Sequence, residues 1–154
     1  MTISSQLIKS GKSFDQDMKR ISRLDGEYVD SGWFQSQGAH SGTTMTYPEL
    51  AEYHATGGGG RVTPRDVLAL TSAVYPVSQD AKVIKALSQW LHGKGNHSEE
   101  ALLDTLGKIQ VERIKSLMGS PLLGATESNP NPLVDSGELK DKVSRKTSTS
   151  GVVK

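Results

Sequence analysis

The chain is predicted to form a single small α+β domain over residues 1–143, an antiparallel sheet flanked by an N-terminal helix and a helical hairpin, followed by a flexible C-terminal tail over residues 144–154. Three observations predict this. Apolar residues recur at helical spacing near the N-terminus and, in two successive runs, through the second half of the chain. Between them lies a glycine-bounded stretch enriched in Tyr, Val, Trp and Phe, the composition of strands joined by a turn. The final segment is small and polar, with little to bury.

Leu7, Ile8, Phe14, Met18, Ile21 and Leu24 recur at steps of three, four and seven with charged residues between them, predicting an amphipathic helix that ends near Gly26. Gly11 weakens its beginning. Residues 27–34 read as a strand, Gly38 to Gly42 as a turn, and residues 43–47 as the returning strand of a hairpin. Pro48 suits the first position of a short helix carrying Leu50, Ala51 and Tyr53, and the glycines from Gly57 to Gly60 end it in a flexible loop. Residues 62–75 fit helix or strand; Thr63-Pro64-Arg65-Asp66 favours a short helix followed by strand-like chain.

Ser78 is placed to cap a helix through His92, with Val83, Ile84, Leu87, Trp90 and Leu91 on one face, Gly93 as its stop and Lys94 to His97 as the bend. Ser98 then caps the longest helix. Leu102, Leu103, Leu106, Ile109, Ile114, Leu117 and Met118 form its apolar arc, and Asp104, Lys108, Glu112 and Lys115 lie opposite. Asp104 and Lys108 are spaced for a surface pair worth about 0.3 kcal/mol. Gly119-Ser120-Pro121 stops this helix and a linker runs to Pro132.

From Asn131 to Asp141 the sequence sets a stiff apolar approach, a capped turn and a charged exit. Pro130 and Pro132 fix their own φ and push Asn129 and Asn131 toward extended geometry, so the chain reaches Leu133 and Val134 stretched out. Asp135 can cap a short helix while Glu138 reaches back in a capping box. Leu133 and Val134 can plug the core or meet a neighbouring subunit.

Pro132-Leu133-Val134-Asp135-Ser136-Gly137-Glu138-Leu139, placed after a long amphipathic helix, resembles the closing signature of the bacteriophage virion-morphogenesis proteins, the neck and tail-completion components. Tyr28-Val29-Asp30-Ser31-Gly32-Trp33-Phe34 is similar to that family's early strand, and the polar turn Ser41-Gly42-Thr43 follows it. Residues 47–57 resemble the family's apolar run ending in His-Glu-Phe-Gly or Asn-Glu-Phe-Gly, with Thr56 in place of Phe. Val62-Thr63-Pro64-Arg65-Asp66-Val67-Leu68 stands where the family has Pro-Arg-Pro-Phe-Leu, with Asp66-Val67 replacing Pro-Phe. The likeness spans residues 6–145 in unbroken order.

The resemblance implies a non-enzymatic structural virion protein, made in the host cytoplasm, that forms a six-fold or twelve-fold ring at the head-tail junction as a neck, tail-completion or tail-terminator component. It implies contacts with a head-tail adaptor, tail-tube or sheath proteins, non-specific contact with packaged DNA, and no cofactor, metal or membrane partner. The interface expected from it comprises Trp33, Phe34, Arg65, Leu133, Val134, Asp135, Leu139, Lys140 and Arg145. Trp33 and Phe34 are adjacent, so on a strand they point to opposite faces, one to the core and one toward a partner.

Composition agrees with a subunit completed by neighbours. Of 154 residues, 34% are hydrophobic and 5% aromatic, which limits the core. A mean hydropathy of -0.44 and 16 glycines suggest long loops. Eighteen basic against 17 acidic residues give a net charge of +1, too little to attract nucleic acid or anionic membrane as a primary task. The absence of cysteine fits synthesis in a reducing compartment. No apolar run approaches the roughly 20 residues needed to span a bilayer, and the start lacks the apolar centre of a secretion signal, so a soluble chain is expected.

Candidate chemistry is sparse. His92 and His97, with Glu99 and Glu100 nearby, lack zinc-site spacing and read as solvated histidines. His54 beside Glu52 and Glu49 could serve as a general base in a small hydrolase, yet no nucleophile motif accompanies it. Gly57 to Arg61 lacks the Lys-Ser/Thr of a phosphate loop and reads as a loop between subunits. Lys140, Lys142, Arg145 and Lys146 form a cationic cluster interrupted by Asp141; it is the basis of an alternative reading as a nucleic-acid-binding accessory protein. The tail's β-capable residues could instead add a strand to a neighbour.

Overall fold

The computed structural model describes residues 14–92, 98–133 and 137–153. Its element order is α1 (residues 14–22), β1 (Val29–Gly32), α2 (Tyr47–Thr56), α3 (Val67–Val74), α4 (Ala81–Leu91), α5 (Glu99–Leu117), α6 (Glu138–Asp141), β2 (Ser144–Thr147) and β3 (Ser150–Val153). The fold is α+β. Among the described residues, no helix is long and apolar enough to cross a membrane.

The sheet is antiparallel with order β1-β2-β3. Its central strand is drawn from the segment that the sequence reading leaves as a flexible tail. Val29 pairs with Thr147 and Gly32 with Ser144, so the early strand closes on the end of the chain and not on residues 43–47. The expected hairpin is reduced to an isolated bridge between Ala39 and Thr46. Thr46 is instead committed to α2: the Glu49 carboxylate accepts from its backbone N–H at 2.7 Å and its hydroxyl at 2.8 Å. Pro48 sits in the first turn, as its missing N–H allows, and Gly57 ends the helix at φ 81, a left-handed geometry that costs glycine little.

α5 is the spine. Ser98 caps it by accepting from Ala101 N–H at 3.1 Å, and its predicted apolar arc is buried apart from the half-buried Leu106. Asp104 and Lys108 pair across one turn at 2.7 Å. The C-terminal half of α5 contributes Val111, Ile114, Leu117 and Met118 to a core completed by Tyr47, Val67, Leu123, Leu139 and Val143. Further back, Gly107 lets the sheet approach. A Cβ there would lie 2.7 Å from Arg145 Cδ and 2.9 Å from Val29 Cγ2. Gly107→Ala therefore sets overpacking of about 1–3 kcal/mol against a helix-propensity gain of about 1 kcal/mol. A net loss of about 1–2 kcal/mol in denaturant unfolding is expected, whereas a stabilised variant would mean that the sheet is not in contact at this point.

Other expectations change in detail. Residues 62–75 give a helix capped by Asp66, which accepts from Ala69 N–H at 2.9 Å, and no strand follows it. α4 begins after Asp80, not Ser78, and its Ile84 and Leu87 remain 50% and 37% exposed. The stretch expected to be a linker contains a short 3-10 turn at Pro121–Leu123 and buries Leu123 and Pro132. Gly119 N–H donates to Pro132 O at 2.9 Å, tying its two ends together. Leu133 is not extended but has φ 66. Gly93 to His97, the expected stop and bend, lie outside the described residues.

Candidate functional site

The segments singled out by sequence converge in space. The Trp33 indole N–H donates to Leu139 O at 2.7 Å, and Gln37 Nε2 donates to Lys142 O at 2.6 Å and Ser144 Oγ at 2.8 Å. These bonds join the loop after β1 to the segment running from α6 into β2. At the join stands Glu138, whose carboxylate accepts from the Ser41 N–H at 3.2 Å and from the hydroxyls of Ser41 and Tyr47. His40 Nε2 lies 3.6 Å from the same carboxylate, and the His40 ring meets Tyr47 edge-on with centroids 5.9 Å apart.

The Ser41 hydroxyl and then Tyr47, with help from the Ser41 amide and His40, hold Glu138 down at about 2, while the same hydrogen bond raises the Tyr47 hydroxyl. A carboxyl depressed on folding contributes stability that is present above its ordinary value and fades as pH falls toward its folded value. Glu138→Gln is therefore expected to unfold earlier than the natural protein at neutral pH. The two should converge as pH drops from about 4.5 to about 2 in thermal melts followed by circular dichroism. A gap that stays constant across that range would show that the carboxylate's charge is not what ties the hub.

Beside this hub opens a cleft of about 640 Å³ lined by His40, Leu50, His54, Arg65, Asn129 and Leu139, among others. Burial first, then the neighbouring Arg65 charge, lowers His54 and keeps its imidazole neutral near pH 7. The Nδ1 atoms of His40 and His54 are buried without a hydrogen-bond partner among the described residues. Arg65 is committed structurally, its Nε donating to Leu123 O at 3.0 Å and its backbone N–H to His54 O at 2.7 Å. Glu52 does not join His54. It lines a second groove, whereas His54 lines this cleft. Among the described residues no cluster of three or more His, Asp or Glu side chains could hold a metal ion.

The predicted interface residues divide. Leu139 is core, Trp33 and Leu133 pack against that core, and Phe34 lines the second groove. Lys140 Nζ approaches Met118 O at 3.4 Å, and Lys142 lies over the Tyr47 ring at 5.2 Å. Arg145 is buried on the α5 side of the sheet, where its Nε and Nη2 both reach Asp104 Oδ1 at 2.7 Å. Arg145 is thus mostly buried, and with Lys140 it lines a surface groove that also includes Lys108 and Lys115. Val134 and Asp135 lie outside the described residues; the N-cap of α6 is Gly137 at φ 78.

Sequence reasoning missed His40, Ser41 and Tyr47 as partners of Glu138, and Asp80 as a partner of Arg113. Each bond joins residues far apart in the chain, and a local pattern carries no signal for it. Compared with protein-family models, curated proteins and solved structures, the chain finds no match.

Proposed function

We propose that the chain is a structural virion protein of a tailed bacteriophage, a subunit of a ring at the head-tail junction that joins head to tail and lets DNA pass. The reading is supported by the resemblance of three ordered segments to the neck and tail-completion proteins. The observation that carries it is the outward apolar side of α1: Phe14, Met18 and Ile21, at i, i+4 and i+7, are 63%, 49% and 46% exposed. Aligned apolar side chains of that size on one helix face mark a surface made to be covered. The hydrogen bonds of Trp33 to Leu139 and of Tyr47 to Glu138 fasten distant segments together, in keeping with a role that is geometric.

In this reading the protein's neighbours are copies of itself and the adaptor, tail-tube or sheath proteins above and below the ring, with DNA met only in passing. Electron microscopy of particles made by a phage lacking this gene tests it. Filled heads without tails, or heads and tails left unjoined, are expected; normal joined particles would refute the assignment.

A further inference from the structure

The cleft beside the Glu138 hub holds a cation that the described residues do not neutralise. Arg65 is half-buried, and its guanidinium is held by carbonyl oxygens: Nε donates to Leu123 O at 3.0 Å and Nη2 to Gly124 O at 3.4 Å. Among the described residues no carboxylate pairs with it, and none of those lining the cleft is acidic. A guanidinium taken partly out of water without a counter-charge is a binding position for an anion.

The two histidines of the lining add no further unbalanced charge. Burial, then the Arg65 charge, lowers His54 and keeps it neutral near pH 7. His40 turns Nε2 toward the Glu138 carboxylate at 3.6 Å, so a proton taken up by that ring is balanced within the hub. What both rings leave open is hydrogen bonding, since each has a buried Nδ1 with no partner among the described residues. Buried polar atoms are rarely left unpaired, and a bound molecule can satisfy these. Asn129 adds a neutral amide to the same lining, and Leu50, Leu133 and Leu139 add apolar wall.

We infer that the cleft binds a small organic monocarboxylate. Its carboxylate lies on Arg65, its hydrocarbon body lies against the three leucines, and His40, His54 and Asn129 meet its polar atoms. One unbalanced cation matches one negative charge, whereas a dianion would bring a second charge that no group of the described lining offsets. The planar guanidinium fork fits a carboxylate, and a volume of about 640 Å³ lies in the range of small-molecule sites. Such a site goes beyond the head-tail role and does not depend on it.

Hexanoate is a suitable probe, with hexanamide as its uncharged counterpart and inorganic sulfate as a dianion. Each is titrated into the whole chain, and the imidazole resonances are followed by heteronuclear NMR, with His92, which does not line the cleft, as the internal control. Saturable shifts of His40 and His54 with hexanoate are expected, and binding of hexanamide and sulfate about tenfold weaker or less. Arg65→Gln should weaken hexanoate about tenfold. Because Arg65 also holds Leu123 O, Asn129→Ala is the second variant; it leaves the backbone bonds between Asn129 and Thr126 in place and should weaken hexanoate about threefold. Hexanamide or sulfate binding as tightly as hexanoate would overturn the inference, as would an unchanged affinity in Asn129→Ala. So would His92 shifting together with His40 and His54, or no saturable shift at all. Binding that emerges only in Asp135→Asn would show the chain's own carboxylate in the site and overturn it equally.

Discussion

Removing residues 144–154 is expected to abolish the folded state. These residues supply β2 and β3, and β2 is the strand to which both others pair. Without it β1 loses its ladder, and Gln37 loses the Ser144 hydroxyl. The surface of α5 around Gly107 loses the Arg145 side chain that covers it. Ser144, Arg145 and Thr147 are all buried, so the deletion opens the side of α5 that faces the sheet. A small domain holds only about 5–15 kcal/mol of net stability, and removal of a central strand exceeds what remains. Near-ultraviolet circular dichroism of Trp33 and Trp90, followed through a urea titration, should show no cooperative transition in the truncated chain. A flexible tail predicts the opposite: an unchanged transition with the same midpoint.

The second large effect is expected at Asp80. Its side chain is 1% exposed and accepts from Arg113 Nε at 2.8 Å, Arg113 Nη2 at 3.1 Å and Lys82 N–H at 2.9 Å. One carboxylate therefore caps α4 and fastens it to α5. Arg113 in turn lies 4.3 Å from the Tyr75 ring centroid, adding the end of α3 to the same junction. The Arg113 guanidinium above all, with the α4 amides, holds the Asp80 carboxyl below the usual range. Asp80→Asn keeps the shape but leaves a largely buried guanidinium without its counter-charge. Breaking such a pair from one side costs about 3 kcal/mol. For a chain of this length that lowers the thermal midpoint by about 6–12 °C. The double variant with Arg113→Met should lose less than the sum of the two single changes. Additive losses, or a fall below about 1 kcal/mol for Asp80→Asn, would show that the junction does not depend on the pair.

These two positions also show what the sequence could and could not reveal. The helices were legible because period and caps are local: Ser98 with the Leu102 to Met118 arc, Pro48 with Gly57, and the Asp104-Lys108 spacing all fall within a few turns. The partner of β1 was not. Ser144-Arg145-Lys146-Thr147 has no apolar alternation to mark a strand, because its α5-facing positions carry a salt-bridged Arg and a Thr in place of aliphatic side chains. Residues 43–47 had better strand composition, but the Thr46-Glu49 capping box turns them into a helix start. Ser78 was expected to cap α4, but Asp80 does so and is also bound by Arg113, 33 residues further on, which a local pattern does not show.

At the candidate site the same division holds. Trp33, Phe34, Leu133 and Leu139 were expected at an interface; Leu139 is core, Trp33 and Leu133 pack against it, and Phe34 lines the second groove. Their roles were mixed together, because adjacency in sequence cannot say which of two neighbouring apolar side chains is covered by residues one hundred positions away. Of the cluster from Lys140 to Lys146, Lys140 and Arg145 line one groove with Lys108 and Lys115, which lie too far away in sequence to be read with them. Folding the strand sends Arg145 inward to Asp104.

The claim on which the functional reading depends is that this chain ends up in the finished particle at the place where head meets tail. Immunogold electron microscopy of purified virions, using antibody raised against the chain, measures that directly. Gold at the head-tail junction of mature particles is the predicted result; particles that carry no label and contain none of the chain would contradict it.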